Sequence, residues 1–91
     1  MAVQITHIRL AGGGHENITD YRWRSLGDGE VNNSTKATMV DWIDNKDGTA
    51  YMGSGADRAD VGTVHPTGGA AYLRTYADGV WTNNLLALPQ F

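Results

Sequence analysis

The 91-residue chain has no cysteine, which removes disulfides, thiolate zinc centres and cysteine nucleophiles from consideration. Stability must come from packing. Basic residues are scarce, with 7 Lys and Arg against 10 Asp and Glu, for a formal net charge of −3. A binder of phosphate backbones draws its affinity from an excess of Lys and Arg, so a nucleic-acid partner is disfavoured. No stretch approaches the roughly 20 apolar residues that span a bilayer, and the start, MAVQITHIRL, lacks a basic leader followed by an apolar stretch of signal-peptide length. The expectation is a cytoplasmic, soluble domain with no membrane partner. In that setting the matches to the glycosylation pattern at Asn17-Ile18-Thr19, Asn32-Asn33-Ser34 and Asn33-Ser34-Thr35 carry no meaning.

What is present is the composition of a folded domain: 41% hydrophobic and 19% charged residues, which argues against wholesale disorder. Residues 1–91 read as one small domain, because smaller pieces could not bury a core. A chain this short holds only several kcal/mol of net stability, so self-association through a sheet edge or apolar patch is a natural expectation.

Val3 to Leu10 reads as a strand whose apolar parity changes, Val3 and Ile5 on one face and Ile8 and Leu10 on the other, which a bulge or burial on both faces would explain. Ile18 to Ser25 alternates Thr19, Tyr21 and Trp23 with Asp20, Arg22 and Arg24, a half-buried strand pattern. Leu26 to Asn33 reads as a loop. Ser34 or Thr35 then caps a helix running to about Asn45, with Met39, Val40, Trp42 and Ile43 as its apolar stripe and Lys36, Asp41 and Asp44 free to face water. Asn45-Lys46-Asp47-Gly48 ends that helix. Three β candidates follow, Thr49 to Met52, Val61 to His65 and Ala71 to Tyr76, with separators that suit hairpins. Val80 to Leu88 reads either as a last strand or as a helical turn capped by Thr82, and Pro89 ends it. The expected fold is α+β, a mainly antiparallel sheet with one amphipathic helix on one face, in the order β-β-α-β-β-β. Trp23, Met39, Val40, Ile43, Val64, Leu73 and Leu85 are the candidate core.

The segments IRLAGGGHENI, Trp23, MVDWI and AYLRTYADGVWTNNLLALPQF together resemble the small bacterial family known as domain of unknown function 3892, over nearly the whole chain. In similar sequences the position of Asn83 is often acidic, a departure that matters if a carboxylate there binds something. The resemblance implies no activity, substrate or catalytic residue.

The most chemical stretch is LAGGGHENITDY at residues 10–21. It is not a phosphate-binding GxxxxGK[ST] loop, because no Lys-Ser or Lys-Thr and no helix follow the glycines; a dinucleotide fingerprint fails for the same lack of a helix. His15-Glu16 does not open HExxH, since the fifth position is Thr19. A non-thiolate metal site from His7, His15 and His65 with Glu16 or Asp60 is a remote reading that carries with it a metal-dependent enzyme. No GxSxG elbow is present. The expectation is therefore no metal, no cofactor and no catalytic residue.

Two binding readings remain. Backbone amides of Gly12 to Gly14 could form an anion nest, with Arg9, Gly13, Gly14, His15 and Arg74 as its residues; the commoner use of such glycines is a strand connection that reaches positive φ. Tyr72, Arg74 and Tyr76 share a strand face, an arrangement that Arg22 and Arg24 repeat elsewhere; on neighbouring strands these would make a face for a planar or anionic ligand. With the apolar tail carrying Trp81 and Phe91, the residues Tyr72, Tyr76, Trp81 and Phe91 form a candidate interaction surface. The favoured reading is a non-catalytic protein-interaction module, able to self-associate, with an unknown protein or a second copy as partner. The competing one is a small-ligand or anion binder at the glycine loop.

Overall fold

The computed structural model describes residues 2–14, 17–53, 58–77, 80–82 and 84–91. Seven strands form one sheet: β1 Ala2–Leu10, β2 Ile18–Ser25, β3 Val31–Thr35, β4 Thr49–Met52, β5 Ala59–Val64, β6 Tyr72–Ala77 and β7 Val80–Thr82, with helix α1 Lys36–Asn45 between β3 and β4. The spatial order is β3-β2-β1-β4-β5-β6-β7. All neighbours are antiparallel except β1 and β4, the pair joined by the crossover through α1. The fold class is as expected, α+β with one helix.

Two bulges settle the parity of the first hairpin. Thr6 is the extra residue between Ile5, opposite Trp23, and His7, opposite Arg22, so that Val3, Ile5 and Ile8 all turn to the same side. Its hydroxyl donates to the Arg22 carbonyl at 3.2 Å, holding the bulge against β2. A second slip places Arg9 opposite Asp20 and Leu10 opposite Ile18, with Thr19 left over. Thr19 therefore does not share the alternation of Tyr21 and Trp23; it is exposed, and Ile18 takes the core.

The expected element order needs correction before the helix. The stretch read as a loop from Leu26 to Asn33 contains the start of a third strand, β3, giving β-β-β-α before the later strands. Its sequence VNNST has little strand propensity and almost no burial, so it forms because β2 supplies the ladder and because Ser34 accepts the Trp23 indole N–H at 3.0 Å. The turn before it is held by Ser25 N–H to the Glu30 carbonyl, by Glu30 N–H to Asp28 Oδ1, and by Gly29 at φ 76°. The undecided stretch after Asp78 resolves into both alternatives: β7, then a short 3-10 helix at Asn84–Ala87.

Thr35 is the cap of α1, its side chain accepting the Thr38 N–H at 3.3 Å. The helix ends through Asp47, which takes the left-handed conformation at φ 55°. Gly48 is needed for a different reason: a Cβ there would run into the Trp42 ring. Met39 is the one described helix residue that is fully buried, with Val40, Trp42 and Ile43 packed at the core's margin. They lie over Val3, Ile5, Ile8, Ile18, Tyr21, Ala50, Val61, Leu73 and Leu85. Val64 does not belong there. Its register alternates with Thr63, whose hydroxyl bonds Asp44 on the helix, so Val64 points to the opposite side of the sheet.

The chain returns at its end. Ile8 N–H donates to the Pro89 carbonyl and Phe91 N–H to the Ile8 carbonyl, a parallel bridge on the β1 edge that β4 leaves open beyond Ile5. Leu85, on the way there, is completely buried.

Candidate functional site

The strand register gives the sheet two unlike faces. One carries the core and α1. On the other, the alternation of β2 places Asp20, Arg22 and Arg24; β1 contributes Gln4 and Arg9; Tyr51 stands opposite Gln4 and Asp60, and Asp60 opposite Tyr76; Arg74 stands opposite Gly62. Arg58 joins them, its guanidinium 3.4 Å from the centroid of the Tyr51 ring. All five arginines of the chain thus lie on the sheet face that α1 does not cover, while both lysines, Lys36 and Lys46, belong to the helix and its end. The net charge of −3 conceals this separation.

These side chains are braced rather than loose. The Arg9 and Arg22 guanidiniums sit 4.6 Å and 4.5 Å from the centroid of the Phe91 ring. Arg9 Nε donates to the Phe91 carbonyl and Arg22 Nε to Asn33 Oδ1, while Arg24 reaches Gln4 Oε1. Lys46 pairs with Asp41 and His65 contacts Asp44, both on the helix side, and among the described residues Arg9, Arg22, Arg24 and Arg58 have no carboxylate within pairing distance. Asp20 stands across from Arg9 in register without pairing to it.

Of the residues proposed as an interaction surface, Tyr76 is on this face and exposed, and Phe91 is its half-buried support between two arginines. Tyr72 alternates with the buried Leu73 and shares the face of Arg74 and Tyr76; it also borders a hollow with Lys36, Pro66, Gly69 and Ala70. Trp81 stands opposite Tyr76, and its side chain lies outside the described residues. The condition that the two arginine strands be neighbours is not met: β1, β4 and β5 separate β2 from β6, roughly 19 Å at about 4.8 Å per strand. They share a face, not a cleft.

The glycine loop closes on itself. Asn17 takes the Gly14 N–H on its side chain at 3.2 Å and the Ala11 N–H on its carbonyl at 2.8 Å, and its own N–H goes to the Gly14 carbonyl. Gly12 and Gly13 do not adopt the positive φ expected of them; a Cβ at Gly12 would instead lie 2.7 Å from Asn17 Cγ, so close approach is what requires glycine. A Cβ at Gly13 would meet nothing within 4 Å among the described residues, and His15 and Glu16 lie outside them. Arg9 turns to Phe91 and Arg74 lies three strands from Arg9, so the loop gathers neither.

His7 contacts the Thr6 hydroxyl on β1, whereas His65 contacts Asp44 Oδ2 at 2.9 Å on the helix side, so these two do not converge. No group of three metal-ligating side chains occurs among the described residues. A cleft of about 240 Å³ between α1 and the sheet is lined by Val3, Trp23, Ser34, Thr38, Met39, Asp41, Trp42 and Lys46. Among the described residues the core holds one polar orphan, the Tyr21 hydroxyl, which has no hydrogen-bond partner of good geometry there; burial pushes its pKa well up, and the Leu73 backbone offsets this only in part.

Sequence reasoning missed Tyr51, Arg58 and Asn33 as members of the arginine face. Period 2 across Thr49 to Met52 marks Tyr51 as facing away from Ala50, but Arg58 precedes its strand and no periodicity reaches it. No helix among the described residues is long and apolar enough to cross a membrane. The sequence model of a family described as "Protein of unknown function (DUF3892)" matches residues 4–89. No curated protein and no solved structure matches the chain.

Proposed function

The chain belongs to the DUF3892 family, and from that premise we propose that it is a cytoplasmic, non-catalytic interaction module that docks an acidic protein partner on the arginine face of its sheet. The observation that carries this reading is the sorting of charge: five arginines and no lysine on the open face, with both lysines on the helix side. Protein interfaces favour Arg and Tyr and avoid Lys, because a guanidinium is weakly hydrated and stacks, whereas an ammonium holds its water. A nucleic-acid groove has no such reason to exclude lysine.

Amide chemical shifts during titration with a synthetic Glu-rich peptide at low salt test the proposal. Shifts confined to Gln4, Arg24, Tyr51, Gly62 and their neighbours, and lost in Arg24→Glu with Arg74→Glu, are expected. Absence of shifts, or shifts centred on α1, would overturn it.

Self-association is favoured by a separate feature. The outermost strand β3 is exposed, and its sequence VNNST has none of the charges or prolines that usually guard a sheet edge. Sedimentation across a wide concentration range is expected to show a dimer that Val31→Lys abolishes. A monomer at every concentration would remove this reading and leave the docking face untouched.

A further inference from the structure

We propose that Arg9 and Arg22, braced on Phe91, form an oxyanion subsite that takes a phosphoryl group carried on a side chain of the protein partner. This rests on the arginine face being the docking surface and states what that surface reads.

The two guanidiniums flank one ring, at 4.6 Å and 4.5 Å from its centroid, so their central carbons lie within about 9 Å of each other. Each is anchored by its inner nitrogen, Arg9 Nε to the Phe91 carbonyl and Arg22 Nε to Asn33 Oδ1. The aromatic contact and the Nε bond together fix the plane of each fork, and the terminal nitrogens have no acceptor among the described residues. Arg24 differs, since a terminal nitrogen is engaged by Gln4.

Orienting two long side chains before binding removes the entropy loss that usually weakens an exposed charge contact. A single carboxylate fits one fork and leaves the second without a partner. A phosphoryl group carries between one and two negative charges and three acceptor oxygens, enough for both forks at once. Asp20, the acidic residue opposite Arg9, forms no ion pair with it and so does not close the site.

The test is calorimetric titration with one Glu-rich peptide in two forms, containing serine or phosphoserine, and with inorganic phosphate alone. The phosphorylated form is expected to bind tighter by roughly tenfold or more, the worth of a charge-assisted pair. That advantage should vanish in Arg9→Lys and Arg22→Lys, which keep the charge but lose the fork, and in Phe91→Ala, and should be kept in Phe91→Tyr. Inorganic phosphate binding as tightly as the phosphopeptide would overturn the protein-borne source. Equal binding of the two peptides overturns the subsite and leaves the docking face standing; binding of neither removes both. Circular dichroism of each variant shows whether a loss of binding comes from lost folding.

Discussion

Replacing Tyr21 by Phe is expected to stabilise the protein, against the usual direction of core substitutions. The ring is completely buried in the cluster that holds Ile5, Ile8, Ile18, Leu73 and Leu85, and its hydroxyl has only the Leu73 backbone nearby, with no hydrogen bond of good geometry among the described residues. An unpaired hydroxyl taken out of water costs about 1–3 kcal/mol. Phenylalanine keeps the ring and gives up one oxygen, so the void it leaves costs at most about 1 kcal/mol. The net gain is about 1 kcal/mol, or roughly 4–8 °C in Tm for a domain of this size. Alkaline pH supplies a second readout. Burial raises the Tyr21 pKa above its ordinary value of 10.0, so the unfolded chain releases this proton first. The contribution is fully present below pH 10 and is lost above it at about 1.4 kcal/mol per pH unit until the folded protein also ionises. Urea melts of both proteins from pH 7 to 11 check each part: Tyr21→Phe should be more stable at neutral pH and lack this one-proton slope. A loss of more than about 0.5 kcal/mol at pH 7 would refute the reasoning, because it would mean that the hydroxyl is satisfied.

Gly48→Ala drives a methyl group into the Trp42 ring and is expected to cost about 1–3 kcal/mol by thermal melting, with Trp42 fluorescence altered. Leu85→Ala empties a fully buried position and is expected to cost about 2–5 kcal/mol, enough to leave much of the protein unfolded at 37 °C. The Asp28 carboxylate accepts the Glu30 N–H, first among the contacts that hold its pKa below 3.8. Its contribution to the β2–β3 turn is therefore present above the ordinary carboxylate range and lost as pH falls through the lowered value. Asp28→Asn should remove that acid-side dependence, read as flatter exchange rates of the Glu30 amide between pH 5 and 2.

A parity change between Ile5 and Ile8 was legible, but it left a bulge and burial on both faces open, and the register with β2 is what decides for a bulge and places it at Thr6. The helix was legible because the Met39 to Ile43 stripe and the Thr35 hydroxyl act within one or two turns of chain. β3 was not, since Asn32 and Asn33 have no intrinsic reason to be extended and acquire one from their partners on β2. Half of the arginine face could be read from alternation at Arg22, Arg24 and Arg74. The other half depends on strand order, which places Tyr51 between the two groups, and on contacts between distant residues. Phe91 meets Arg9 across 82 positions, and no local pattern encodes that.

The bridge between Ile8 and residues 89–91 has a kinetic consequence. β1 to β3 form a meander of local contacts that can close in microseconds, yet one edge of β1 must wait for β4 along its first half and for the final residues along its second. Until those residues arrive, Ile8 offers unpaired backbone groups beside an apolar surface. Chains that end at residue 88, keeping Leu85 but not the bridge, should differ from full-length chains most in hydrogen exchange at the Ile8 amide, making it a reporter of when the final residues have completed the sheet.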